Sequence, residues 1–419
     1  MTKRTISIVF AFVLVVCSLP FAASAESFGY YTYEVNGDGT ATITKCSTDI
    51  SDNVEIPSEI NSYTVTAIGK NAFSGCKNIK QLTIPDSVIT IDNNAFNGCS
   101  GITVLNLGNG LMTIGSYAFA SCSGIKELNL PASVESLGNY AFSENTALTS
   151  AKINDTITVI PKYCFAGCTN LADVTIGEKV EEIKDYAFSR CIELKNIKWG
   201  KELISILSNA FYECKGITKL TIPDSVKTIG GGAFNNCSGI TEIRLGANVT
   251  SIGNHAFGNC TSLKTLIITD STVAIGDNAF YGDVSLQTVY LPACIETIGF
   301  YAFDGCTSLR EVYFAGNESN WNTFVEVRAN NVPLLAATLI FDTPAPSEYV
   351  LGDVNGDGKV NPQDRVMLTR YLAKWKGYDT IDLRAADVNE DGKVNAQDRV
   401  ILTRHLAKWK GYDVLPYKK

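Results

Sequence analysis

From about residue 50 to residue 342, apolar and polar positions follow one rule that recurs every 23 residues. Phe73, Phe96, Phe119, Phe142, Phe165, Phe188, Phe211, Phe234, Phe257, Phe280 and Phe303 mark it. Five residues before each Phe stands Ile or Leu, from Ile68 to Ile298, and six after it Ile or Leu again, from Ile79 to Leu309. The unit reads V-x-x-I-G-x-x-A-F-x-x-C-x-x-L-x-x-L-x-I/L. Its L-x-x-L-x-L part predicts a short strand with alternate side chains inward, and a parallel strand needs neighbours on both sides. A single coil of this length cannot bury its own apolar edge, so the coils must stack. Eleven coils at the ~4.8 Å strand spacing predict a solenoid of roughly 50 Å.

The ends of the chain follow other patterns. Lys3 and Arg4 precede an apolar run from Ile6 to Val16, and Ala23-Ser24-Ala25 supplies a small-x-small cleavage pattern. Residues 1–25 therefore predict a signal peptide, too short in its apolar part for the ~20 residues of a membrane helix. Residues 343–348, with Pro344 and Pro346, read as a linker. Beyond it, Asp353 to Tyr378 and Asp387 to Tyr412 are copies that agree at 22 of 26 positions.

Each copy opens with D-x-N-x-D-G-K-V-N-x-x-D. Oxygens at positions 1, 3, 5, 9 and 12, with the backbone carbonyl at 7, suit a hard cation that takes six to eight oxygen ligands. Asp353, Asn355, Asp357, Lys359 (by its carbonyl), Asn361 and Asp364 form one candidate calcium site; Asp387, Asn389, Asp391, Lys393, Asn395 and Asp398 form the other. Gly358 and Gly392 permit the sharp turn, and Val360 and Val394 supply an apolar anchor.

The repeats resemble the BspA-like class of leucine-rich repeat, a family of bacterial surface and secreted proteins. The likeness implies a leucine-rich repeat solenoid of α/β type, with parallel strands and 23-residue repeats, over residues 26–342. The stretch from Tyr30 to Cys46, with a hairpin turn at Asn36-Gly37-Asp38-Gly39, is similar to that family's N-terminal cap, and residues 313–342 to its C-terminal cap, with Trp321 as an apolar plug. The tandem loops end in Asp where an EF-hand has Glu, and a helix follows each directly; this resembles a type I dockerin, a small all-α calcium-binding domain, over residues 349–419. That resemblance implies two calcium ions and a cohesin module of a cellulosome scaffoldin as partner. Cohesin contacts would then fall on Pro362, Gln363, Thr369 and Arg370 in the first copy and on Ala396, Gln397, Thr403 and Arg404 in the second. The near-identity of the copies permits binding in two orientations.

Cysteines stand three residues after nine of the eleven Phe, with Asn145 and Asp283 in the other two slots. They read either as a disulfide or metal ladder or as small buried thiols in a tight turn. Parallel Cβ vectors would leave Cβ atoms near ~4.8 Å where ~3.8 Å is preferred, which favours thiols. On the outward strand face, Lys198, Arg244, Ile267, Tyr290 and Tyr313 form a candidate binding face, its apolar and aromatic end suited to a protein or a sugar or serving as shielding near the cap.

Composition narrows the function. Apolar residues make up 45% and charged ones 19% of 419, the balance of an ordinary globular protein, and the net charge of −8 gives no nucleic-acid partner. The solenoid, residues 26–348, carries 20 basic and 33 acidic side chains, whereas residues 349–419 carry 13 and 10. Of the two histidines, His255 occupies a repeated surface slot and His405 replaces Tyr371 of the first copy, so neither stands in a catalytic constellation. The expectation is a secreted, non-catalytic cellulosome-associated protein without membrane insertion. Its solenoid would bind a protein partner, with plant-wall polysaccharide adhesion or a structural spacer as alternatives.

Overall fold

The computed structural model describes residues 25–343, 352, 354–355, 359–375, 381, 383–389, 393–408 and 415. Residues 1–24 of the expected signal peptide and most of the expected linker lie outside them. The chain divides into two compact units, Met1–Ala345 and Pro346–Lys419.

In the first unit each coil contributes two strands, not one. The expected strand is present, from Asp52–Glu55 and Ile79–Thr83 through Glu127–Asn129 to Glu311–Phe314 and Thr338–Ile340. A second strand of two residues, such as Thr90–Ile91 or Ser205–Ile206, is formed by the V-x-x-I part. Both stack in parallel with a one-repeat register, for example Lys152 beside Thr175 and Ile206 beside Ile229. In place of the helix of an α/β-type coil, the described repeats have turns. The residue two before each Phe takes a left-handed backbone, from Asn71 (φ 57°) through Tyr117, Tyr140 and His255 to Tyr301 (φ 57°), and a helix cannot run through such a residue. Backbone bonds also link these turns vertically, Phe73 N–H donating to Ala95 O at 2.7 Å and Phe188 N–H to Ala210 O at 2.8 Å.

The core is a column. All eleven repeat Phe are buried, and successive rings stack with centroids from 4.8 to 5.6 Å apart. The cysteine slot builds a second column of free, buried thiols, in which Cys99 Sγ donates to Phe73 O at 3.0 Å and Cys306 Sγ to Phe280 O at 3.2 Å. Asn145 fulfils the same function, its Nδ2 donating to Phe119 O at 3.0 Å. The thiol reading of the column thus gains a reason: the slot supplies a second donor to the buried Phe carbonyl of the preceding coil, which already accepts a backbone N–H, as Phe73 O does from Cys76 at 3.0 Å.

The ends are closed as the apolar pattern requires. Tyr31–Val35 pairs antiparallel with Ala41–Cys46, which passes the ladder on to Tyr63–Ile68. At the other end lie α1 (Glu318–Phe324), capped by Asn317, and α2 (Val332–Ala336), with Trp321 of α1 edge-on to Phe314 at 5.2 Å. Open solenoid ends would expose core and strand edges.

The ladders are not continuous. The short-strand ladder stops between Ser136–Leu137 and Val159–Ile160. Pro161 stands there in the slot from which Gly138 donates to Ile114 O at 2.7 Å and Lys184 to Ile160 O at 2.9 Å. Proline has no N–H to give. The long-strand ladder stops between Val104–Asn106 and Glu127–Asn129, and again between Asn196–Lys198 and Lys219–Thr221.

Candidate metal and docking sites

In the second unit, α3 (Pro362–Leu372), α4 (Leu383–Ala386) and α5 (Ala396–Leu406) surround a core of Val354, Leu368, Ala386, Val388, Ile401 and Leu402, with Val360 and Val394 packed on it as expected. The copied loops place the same side chains at the start of α3 and α5. Asn361 Oδ1 accepts from Gln363 N–H at 2.8 Å while Asp364 Oδ2 accepts from Asn361 N–H at 2.7 Å, a reciprocal capping box. Asn395 and Asp398 repeat it at 2.7 and 2.8 Å. Asp364 Oδ1 also accepts from Asn355 N–H at 3.1 Å and so folds the loop back onto the helix start.

Asp364 and Asp398 are both fully buried. A buried carboxylate is tolerated when charge-assisted donors or a cation face it, and an all-oxygen donor set suits a hard divalent cation. The residues described therefore fit calcium, with Asn355, Lys359 and Asp364 in one loop and Asp387, Asn389, Lys393 and Asp398 in the other. Asp353, Asp357 and Asp391, like Gly358 and Gly392, lie outside the described residues; among those described, no cluster of three or more His, Cys, Asp or Glu could hold a metal ion. The structure gives Asn361 and Asn395 the additional role of helix caps, a role also legible in Asn-Pro-Gln-Asp and Asn-Ala-Gln-Asp.

The expected contact residues are partly brought together. Thr369, Arg370, Thr403 and Arg404 line one groove of about 640 Å³, with Val366, Val400, Arg365, Arg399 and Trp375. Arg365 and Val366 were missed by sequence reasoning, although they precede Thr369 and Arg370 by one helical turn and so share their face. Arg370 lies over the Trp375 ring at 5.5 Å. The Thr369 and Thr403 hydroxyls donate to Arg365 O at 2.7 Å and Arg399 O at 2.6 Å, which leaves their oxygens as acceptors. Pro362 and Gln363 line a separate recess of about 410 Å³, and Ala396 and Gln397 are exposed at the start of α5, outside both.

On the solenoid, Ile267, Tyr290 and Tyr313 stand in register on adjacent strands, and the two rings stack at 4.7 Å and 11°. The Tyr313 hydroxyl donates to Glu311 Oε2 at 3.1 Å. Lys198 and Arg244 are exposed on the same face but on opposite sides of the second interruption of the long-strand ladder. A second aromatic row, Tyr117, Tyr140, Tyr163 and Tyr186, stacks at 4.4 to 4.7 Å on the left-handed turns. Its inner rings cover one another's faces.

A parallel solenoid of short coils with a core of stacked Phe is the architecture of a leucine-rich repeat protein. A model of the BspA type leucine rich repeat region matches residues 47–172, 158–273 and 236–334, and the chain belongs to that family. A model of the dockerin type I domain, a class that binds calcium, matches residues 351–407. Similar solved structures include a leucine rich cell surface protein from Faecalibacterium prausnitzii (25% identity over 73% of this chain and 98% of the other, TM-score 0.41). A leucine-rich repeat protein from Bacteroides ovatus (22%, 75% and 99%, TM-score 0.39) and the pneumococcal vaccine antigen PcpA (20%, 78% and 99%, TM-score 0.47) are others. No curated protein matches the chain. Among the described residues no helix is long and apolar enough to cross a membrane.

Proposed function

We propose that the chain is an exported, non-catalytic component of a cellulosome-type assembly. Its dockerin binds a cohesin module of a scaffoldin in a calcium-dependent manner, while the solenoid presents its strand face to a protein partner. The observation that supports docking most directly is the groove in which Thr369, Arg370, Thr403 and Arg404 meet. Four arginines on its walls favour an acidic cohesin face and make the on-rate salt-dependent. Two loops with matching oxygen sets support two calcium ions. Bound there, calcium would neutralise the loop carboxylates and let each loop close on the helix that Asn361 or Asn395 caps.

Titration of the full chain with a panel of type I cohesins tests this reading. Binding in calcium that disappears with chelator is expected, and no binding to any of them in saturating calcium would overturn it. The Tyr290–Tyr313 pair supports a second reading, adhesion to a plant-wall polysaccharide. Retention of the protein on such a polymer, lost on Tyr290→Ala with Tyr313→Ala, would put that reading first.

A further inference from the structure

The N-terminal cap brings to the thiol column a cysteine that the repeat does not supply. Cys46 stands 30 residues before Cys76, off the 23-residue period, at the end of the cap strand Ala41–Cys46. Its N–H donates to Ala72 O at 2.7 Å, as Phe73 N–H does to Ala95 O one coil later. The backbone of Cys46 therefore occupies the Phe place of the ladder and not the cysteine place. The aromatic ring at this end of the Phe column comes from Tyr31, 6.0 Å from Phe73.

The thiols of Cys46 and Cys76 converge on one carbonyl, Ser47 O, at 3.5 and 3.9 Å. They are also in hydrogen-bonding contact with each other. Further along the column, from Cys99 to Cys306, each thiol donates to a Phe carbonyl at 3.0 to 3.6 Å. Cys76 has no such coil before it, and the bond it makes instead is the longest in the column.

We propose that Cys46 and Cys76 are a disulfide site, oxidised by an external disulfide, that locks the N-terminal cap onto the first coil. Three observations single out this pair. Column cysteines share one slot on successive coils, so their Cβ vectors run parallel and their Cβ atoms stay too far apart for an unstrained bond. Cys46 starts from the Phe place and is free of that constraint. Ser47 O also accepts Ile50 N–H at 3.2 Å, so the loss of both thiol protons leaves it paired. The hydrogen bond between the two holds the Cys76 thiol below its ordinary range and pushes that of Cys46 up, which makes Cys76 the attacking sulfur.

The exchange balances as follows. Cys76, as thiolate, attacks one sulfur of the external disulfide R–S–S–R and expels R–S⁻, which takes up the proton that Cys76 lost. Cys46 then attacks Sγ of Cys76 in this mixed disulfide, and the second R–S⁻ leaves with the Cys46 proton. The two thiols are oxidised by two electrons, and the external disulfide is reduced to two R–SH. Both cysteines are at most 4% exposed in the closed cap, so the exchange takes place before the cap docks or while it is frayed. Once made, the cross-link restricts the opened cap far more than the closed one.

The full chain is refolded in reduced and oxidised glutathione, its free thiols are blocked, and its peptides are mapped by mass spectrometry. One bond is expected, Cys46 to Cys76, which leaves the other ten of the twelve described cysteines free. Twelve free thiols, or bonds between column neighbours such as Cys99 and Cys122 to the same extent, would overturn the site. Hydrogen exchange tests the lock on the wild type alone: amides of Tyr31–Val35 and Ala41–Cys46 should exchange about a hundredfold more slowly in the oxidised than in the reduced protein. Equal rates would overturn the lock. Cys46→Ser, which keeps a small donor at the position, should exchange at the reduced wild-type rate with or without oxidant, and slowing by oxidant in this variant would refute the assignment. Neither measurement reads cohesin or solenoid binding, so the disulfide site and the docking reading stand or fall separately.

Discussion

Asp283 is the one carboxyl in a column otherwise made of thiols and an amide, and replacing it by Asn should stabilise the solenoid. Apart from Cys76 in the first coil, whose thiol faces Ser47 O, the other occupants of the slot donate to the Phe carbonyl 26 residues earlier, as Cys306 Sγ does to Phe280 O and Asn145 Nδ2 to Phe119 O. Asp283 is fully buried; its Oδ1 accepts from Cys260 N–H at 2.7 Å, and its Oδ2 is buried with no hydrogen-bond partner among the described residues. Burial pushes this carboxyl well above the usual range, and the Cys260 N–H offsets only part of that. Below the unfolded-state pKa of ~3.9 both states hold the proton and folding carries no penalty. As pH rises above that value the unfolded chain ionises while the folded one does not, so the penalty grows until the raised folded pKa is passed.

Asp283→Asn keeps an acceptor for Cys260 N–H and adds a second donor for the Phe257 carbonyl, as Asn145 supplies to Phe119 O. Removing one unsatisfied buried group is worth about 1–3 kcal/mol. Urea denaturation of both proteins, followed by far-UV circular dichroism at pH 7 and at pH 4, measures it. A gain of that size at pH 7 that shrinks toward pH 4 is expected. An equal gain at both pH values would refute the ionisation argument, and a loss at pH 7 would refute the donor-slot argument.

Phe188, whose ring lies 5.2 Å from both Phe165 and Phe211, should cost about 3–5 kcal/mol of solenoid stability on Phe188→Ala, read from denaturation midpoints. Pro161→Lys should supply the donor that Lys184 provides one coil later, a gain of about 0.5–1.5 kcal/mol before the lost rigidity of proline is subtracted, with slow hydrogen exchange at amide 161 as the readout. Asn361→Ala should lower dockerin stability by about 1 kcal/mol, and Asn361→Ser should recover most of it if capping dominates; failure of Ser to recover it would give calcium ligation the larger share. Burial raises the Cys168 and Cys237 thiols to about 12, so at pH 8 these two should resist a thiol reagent until the reduced chain is unfolded, when all twelve free cysteines among the described residues should react.

Much of the fold was legible because the repeat writes the same core eleven times. The position of each Phe, the Ile five residues before it and the strand after it follow from periodicity alone, since equivalent residues in stacked coils share one environment. The loops of the C-terminal unit were legible for a related reason: a spaced set of oxygens survives as a pattern whatever the surrounding fold. The V-x-x-I strand was not, because two residues carry no period of their own and become a strand only when neighbouring coils pair with them. Arg365, Arg399 and Trp375 were missed since a groove between two helices depends on how those helices pack.

The sequence by itself determined which side chains face inward, where the stack begins and ends, and which oxygens are available to a cation. Tertiary structure alone decided which backbone groups find partners from coil to coil. That is why Pro161, an ordinary substitution in the repeat, acquires meaning only in the folded stack, where it removes a donor from a ladder. Period reports shared environments, but pairing depends on the distance and direction between coils, and those are set by every neighbour in the stack at once.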